Sequence, residues 1–209
     1  MITTREMLWG YANGIFPMAS SAHDPTLHWF EPSERGIMPI GRVHVSRSMR
    51  RHLRHSGWTA TLNGDFAATV RACAGREETW INDTLIGLYQ DLHRLGHAHS
   101  LEILAGTEVV GGIFGLTIGG AFFGESMFST RRNGSKAALI WLSAHLANCG
   151  FTLFDTQYPT AHLASMGGQT ITRAAYLRRL SAAIRHDADI RSRALPAPQA
   201  LWQPSNQTS

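Results

Sequence analysis

The stretch from Ser100 to Phe128 constrains the fold of this chain more than any other. Three apolar runs follow one another there, Ser100–Ala105, Glu108–Leu116 and Gly120–Phe128, joined by very short Gly-containing links. Links that short join only neighbouring antiparallel strands, so the spacing predicts a β-meander. A strongly apolar stretch follows, Lys136–Asn148, with Ser135 as its expected N-cap and Gly150 as its stop. Phe151–Asp155 then reads as a further strand, Ala161–Met166 as a short helix and Thr172–Ile184 as a longer one. A meander, a helix and a strand in that order imply an α+β (α/β-type) sheet domain.

The first half has a different rhythm. A helix is expected over Thr4–Asn13, with Thr4 as N-cap, Met7, Leu8, Tyr11 and Ala12 on one side, and Gly14 as its end. Ile15–Gly41 contains Pro17, Pro25, Pro32 and Pro39, so it should be extended and loop-rich. A basic helix over Ser46–His55, a strand over Trp58–Leu62 and a helix capped by Asp65 follow. Asp83 is the expected cap of a helix over Thr84–Leu95. The expected organisation is a small N-terminal domain (1–62), a sheet domain (63–187) and a Pro/Gln/Ser-rich tail (188–209), frayed or draped on the surface.

Composition excludes several classes. Over 209 residues, a 44% hydrophobic share is too high for disorder, and 2 Cys are too few for a disulfide scaffold. Cys73 and Cys149 read as reduced thiols of a cytoplasmic protein. There is neither a charged leader before an apolar run nor a run of the roughly 18 residues that span a bilayer, so no membrane is expected. A net charge of +4 permits a polyanionic partner without requiring one.

Several constellations carry possible chemistry. Arg47, Arg50, Arg51 and Arg54 gather on one helical face, and no acidic residue lies between Glu34 and Asp65 to neutralise them. Such a face suits a row of phosphates or, equally, solvent. Glu125 and Met127 alternate onto one side of the third meander strand, and a bulge at Gly124 would bring Phe122 to that side. A carboxylate there is either exposed on a half-buried sheet or a ligand anchor. Asp155 and Gln157 share a face at the carboxyl end of a strand, where open sheets build sites, although an Asp there also caps turns. Trp80, in a polar connection, either plugs the core or stacks on a base. His93, His97 and His99 cross from a helix through Gly96 into a strand, so their rings should not converge, and no HExxH or CxxC accompanies them. No metal is expected. Gly111, Gly112, Gly115, Gly119 and Gly120 lack the Lys-Ser/Thr of a P-loop and read as close strand packing.

Taken together, these pieces occur in a familiar order. Tyr11–Pro17, Trp29 with Pro32 and Arg35, Ser46–Met49, Thr79–Ile81, Leu95–Ser100, Val110–Gly112, Gly124–Ser129, Ser135–Lys136, Asp155–Gln157, His162–Gly167 and Arg173–Tyr176 give the chain, from about residue 5 to 180, a pattern that closely resembles the leucyl/phenylalanyl-tRNA–protein transferase family. The resemblance implies an aminoacyltransferase that moves Leu or Phe, less readily Met, from aminoacyl-tRNA to the N-terminal Arg or Lys of a protein, marking it for degradation. It implies an acetyltransferase (GNAT)-like fold for the sheet domain and a monomer without cofactors. It maps tRNA contacts to Arg47, Arg51 and Arg54, adenosine stacking to Trp80, the amino-acid pocket to Phe122, Met127 and Leu139 with Glu125 beside it, and catalysis to Asp155 and Gln157. Some members carry a second tryptophan where this chain has Met18, so stacking is expected to be weaker or shared with Trp29 or Phe30. Some also carry roughly thirty more N-terminal residues.

Aminolysis of an ester runs downhill, so the reaction requires neither ATP nor metal. A carboxamide is too weak a base to hold a proton at neutral pH. Gln157 is therefore expected to orient the attacking amine, with Asp155 fixing Gln157 and favouring the cationic acceptor side chain. Two other readings remain open at this stage. One is a coenzyme A-dependent acetyltransferase using Arg131–Lys136 at a helix start, where the usual signature is incomplete. The other is a non-catalytic RNA-binding module.

Overall fold

The computed structural model describes residues 2–76 and 79–201. In chain order its elements are α1 (Thr4–Ala12), β1 (Phe16–Ala19), β2 (Leu27–Phe30), β3 (Glu34–Ile37), α2 (Arg47–His55), β4 (Thr59–Leu62), α3 (Phe66–Ala74), α4 (Asp83–Arg94), β5 (Ala98–Ala105), β6 (Glu108–Ile118), β7 (Ala121–Ser129), α5 (Gly134–Asn148), β8 (Leu153–Gln157), α6 (Ala161–Ser165), β9 (Gln169–Thr172) and α7 (Arg173–Ala183). Seven strands make one mixed sheet in the order β4-β5-β6-β7-β8-β3-β9, while β1 and β2 form a separate hairpin. Strands β5, β6 and β7 are the expected meander. Helix α5 then crosses over to β8, which lies parallel to β7. The fold is α+β, as the order of elements implies.

Two apolar layers sandwich this sheet. On one face α5 and α2 bury Leu139, Trp141, Leu142, Met49 and Leu53 against Ile113, Phe122 and Phe154. On the other, α1, α3, α4 and α7 bury Met7, Tyr11, Val70, Tyr89 and Tyr176 against Phe114, Leu116 and Phe123. Met49 and Leu53, four residues apart, anchor α2 by one stripe, which leaves Arg47, Arg51 and Arg54 on its exposed side. Helix α5 is apolar all round because residues 187–201 cover its outer side. There the Trp141 indole donates to the Pro196 carbonyl (2.9 Å), and Ile190 and Leu201 are buried. The described part of the tail is thus draped and anchored; residues 202–209 lie outside the described residues.

The structure corrects several local expectations. Thr3, not Thr4, caps α1, in a capping box with Glu6, and Asn82, not Asp83, caps α4. Ser135 is not a cap: α5 begins at Gly134, behind Asn133 in the left-handed region (φ 77°), without a side-chain cap. A Cβ on Gly134 would lie 2.0 Å from the Val110 carbonyl oxygen, so contact with β6 sets where the helix starts. Strands β1, β2, β3 and β9 escaped the sequence reading: β1, β2 and β3 lie in the Pro-containing stretch, which reads as extended but loop-rich, and β9 runs directly into α7. Strand β3 comes from the Pro-rich stretch yet lies inside the large sheet, between β8 and β9. The large sheet therefore draws strands from both sides of residue 62.

Candidate active site

Strands β7 and β8 pair only over Ala121–Phe123 and Leu153–Asp155. Beyond that point β7 stays with β6, while β8 turns to β3, and a cavity of about 990 Å³ opens where they part. Leu139, Phe154, Ile113 and Met127 supply apolar lining, and Glu125 and Gln157 supply polar lining from the diverging strands.

A bulge aims Glu125. Gly115 of β6 faces Gly124 and Phe114 faces Ser126, so Glu125 is the extra residue on β7. Alternation shifts there. Phe122 and Met127 pack on one side of the sheet and Phe123 and Phe128 on the other, so Glu125 and Met127 do not share a face as simple alternation requires. Glu125 is 8% exposed. Its Oε1 accepts from the Tyr11 hydroxyl (2.7 Å) and from Gln157 Nε2 (2.9 Å), and its Oε2 accepts from the Tyr89 hydroxyl (2.7 Å). Burial pushes its carboxyl up to about 7 against the opposing pull of these three donors. Both tyrosines are held well above their ordinary range by burial and by the neighbouring carboxylate, so they remain donors.

Asp155 does not line the cavity. It is fully buried, and its oxygens accept from Arg35 Nε (2.9 Å), Arg35 Nη2 (2.7 Å), the Tyr176 hydroxyl (2.7 Å) and the Gln157 backbone N–H (2.8 Å). The Arg35 guanidinium lies over the rings of Phe16 and Tyr176 at 4.6 and 4.5 Å and donates to the Gly14 carbonyl. With every neighbour thus engaged, Asp155 has no position from which to meet an acceptor's cationic side chain, contrary to that part of the sequence expectation. What it does hold is Gln157, whose backbone stands at φ 61° in the left-handed region. Gln157 Nε2 is committed to Glu125, and its Oε1 accepts no hydrogen bond among the described residues.

The other sequence-selected residues divide between the cavity and its surroundings. Met127, Leu139 and Trp80 line it. Phe122 stands behind the wall, 1% exposed, edge-on to Phe154 at 5.1 Å. Arg47 and Arg51 line a separate depression with Ser48, His52 and His55, and Arg54 is exposed on the same helix. Met18, Trp29 and Phe30 lie in the β1–β2 hairpin and do not line the cavity. Tyr158 does, and it is 41% exposed, with its ring edge-on to Phe16. His93 stacks on Phe66, and His93, His97 and His99 each face a backbone carbonyl. No group of three metal-ligating side chains occurs among the described residues.

Sequence reasoning missed Arg35, Tyr176, Tyr11 and Tyr89 as parts of this site. A carboxylate inside the apolar run Phe151–Asp155 was a usable signal, since a buried Asp demands a cation and several donors. Nothing local in the sequence says that Arg35 is the cation. Tyr11 reads in the sequence only as part of an apolar helix face, and Tyr89 lies within the helix expected over Thr84–Leu95.

No helix among the described residues is long and apolar enough to cross a membrane. A family model described as leucyl/phenylalanyl-tRNA protein transferase matches residues 37–181, and a model of the N-terminal domain of the same family matches residues 1–33. A leucyl/phenylalanyl-tRNA–protein transferase of Paracoccus denitrificans is 64% identical, with 100% of this chain and 98% of that one aligned. One from Cereibacter sphaeroides is 53% identical over the same shares, and one from a Ruegeria species is 51% identical over 97% of each chain.

Proposed function

This chain belongs to the leucyl/phenylalanyl-tRNA–protein transferase family, and on that premise we propose that it moves Leu or Phe, and less readily Met, from aminoacyl-tRNA to the N-terminal Arg or Lys of acceptor proteins. The product would be marked for degradation, in the cytoplasm, by a monomer. The observation that carries this reading is the apolar cavity with the Glu125–Gln157 pair at its edge, together with the separate exposed arginine face of α2.

The apolar side chain of the donor occupies the space between Met127, Leu139 and Phe154, with Phe122 holding Phe154 from behind. Trp80 stacks on the terminal adenosine, and Arg47, Arg51 and Arg54 meet tRNA phosphates. The acceptor's α-amino group, with an ordinary pKa of about 7.7–8.0, is partly neutral at pH 7 and attacks the ester carbonyl. Gln157 cannot hold its proton. Its free Oε1 accepts a hydrogen bond from the amine and aims it, while Glu125 fixes the amide from the other end. The Arg35–Asp155 pair fixes the Gln157 backbone. The ribose oxygen leaves with the proton, passed through its neighbouring hydroxyl. Bringing two large substrates together in this geometry can supply roughly 7–11 kcal/mol of the barrier.

The rival acetyltransferase reading needs backbone N–H groups of the Arg131–Lys136 turn for a pyrophosphate, and there the Gly134 N–H already donates to the Arg131 carbonyl (3.0 Å). The experiment is transfer of labelled Phe from Phe-tRNA to peptides beginning with Arg, Lys or Gly, with acetyl-coenzyme A as a parallel donor. Transfer from tRNA to the Arg and Lys peptides alone is expected. Acetylation without transfer from tRNA would overturn the proposal.

A further inference from the structure

Between the N-terminal ends of α2 and α5 lies a second cleft of about 600 Å³, outside the cavity that holds Glu125 and Gln157. Its walls carry His44, Ser48 and His52 from the α2 side and Arg132, Asn133 and Lys136 from the α5 side. No acidic residue lines it. Arg131 next door is paired with Glu108, but Arg132 and Lys136 make no ion pair among the described residues. Lys136 is nevertheless only partly exposed. Its ammonium has no carboxylate partner among the described residues, and the cleft lies where two helices of nine and fifteen residues direct their N-terminal ends, an arrangement that favours an anion.

The cleft also lies between two surfaces already described. It shares Ser48 and His52 with the depression lined by Arg47 and Arg51. At its other end Lys136 follows Ser135, which lines the catalytic cavity. The charge of Lys136 is felt at His162, another residue of that cavity. The arginine face and the cleft form one basic track, which ends next to Ser135 at the cavity wall.

We propose that this cleft binds a backbone phosphate of the single-stranded 3′ end of the RNA, with Lys136 and Arg132 as its cations, and so leads the aminoacylated end from the arginine face into the cavity. The inference rests on the aminoacyl-tRNA reading above and adds to it a phosphate site distinct from the outer face of α2.

The test compares two donors, Phe-tRNA and 3′-O-phenylalanyl-adenosine, which keeps the ester and the base but has no phosphate. Lys136→Met, which keeps the apolar stem, and Arg132→Gln are each expected to lower kcat/KM for Phe-tRNA about fivefold to tenfold, through KM. Each should also reduce the salt slope of tRNA binding by about one. Transfer from phenylalanyl-adenosine should stay within about twofold of wild type, which also shows that the variants fold. Equal losses with both donors, or no loss with either, would overturn the proposal. So would coenzyme A binding that depends on Lys136 while tRNA binding does not. Wild-type protein that uses neither donor would instead overturn the functional reading itself.

Discussion

Arg35 and Asp155, 120 residues apart in sequence, form a fully buried two-pronged ion pair, with Arg35 Nε on Oδ1 and Nη2 on Oδ2. The pair joins β3 to the strand that carries Gln157, and through the Gly14 carbonyl it also ties in the end of α1. One oxygen of that same carboxylate holds the Gln157 N–H. Stability and active-site geometry therefore meet in a single contact.

Removing one partner of such a pair strands a buried charge. Arg35→Met should lower the unfolding free energy by about 3–5 kcal/mol, measured by urea denaturation. Combining it with Asp155→Asn should cost clearly less than the sum of the two single changes, because the stranded charge disappears while Tyr176 and the Gln157 N–H keep a partner. Additive losses would contradict the pairing.

Glu125 should make stability depend on pH in a definite direction. Its carboxyl is raised from 4.5 to about 7 by burial. Between those values the unfolded chain releases a proton that the folded chain keeps. The group's contribution is therefore complete below about pH 4.5 and lost as pH rises through about 7. Glu125→Gln removes this slope, so the variant should gain stability relative to wild type between pH 5 and pH 8. Parallel stability curves for the two proteins would contradict the shifted carboxyl.

If Arg47 and Arg51 each touch a phosphate, changing both to Gln should flatten the plot of log affinity for tRNA against log salt by about two units, since each neutralised phosphate contributes close to one. An unchanged slope would remove them from the interface.

Met127 lines the cavity from the edge beyond the bulge. Met127→Ala should enlarge the space and weaken the smaller side chain's fit more than the ring's, favouring Phe over Leu by about 1–3 kcal/mol in relative kcat/KM. Competition between Leu-tRNA and Phe-tRNA for one acceptor peptide measures it.

How much of this was legible in the sequence follows from the range of each interaction. The meander, α5 and β8 are written locally, as apolar runs with short links and a Gly stop, and they position the cavity. Glu125, Gln157, Met127, Leu139 and Trp80 were reachable from strand-end logic and from the family pattern. The bulge was half visible: Gly124 suggested an irregularity, but only the ladder shows that Glu125 is the extra residue. The partners of Asp155 were not legible, because Arg35 arrives from 120 residues away on the four-residue β3 and Tyr176 arrives on helix α7, and neither element says locally which carboxylate it meets. For the same reason the idea that Asp155 greets an acceptor's cation failed, since its counter-charge was already supplied from within.

The most direct test concerns Gln157, whose proposed role is to position the amine and not to take its proton. Single-turnover transfer from Phe-tRNA to an Arg-initiated peptide would be followed for wild type, Gln157→Ala and Gln157→Glu. Gln157→Ala should lower the rate while leaving tRNA affinity nearly intact. Gln157→Glu should be no faster than wild type, because the new carboxylate would share a proton with Glu125 instead of standing free as a base. A Gln157→Glu variant that turned over much faster than wild type would show that a true base is what the site lacks, and would contradict the positioning role.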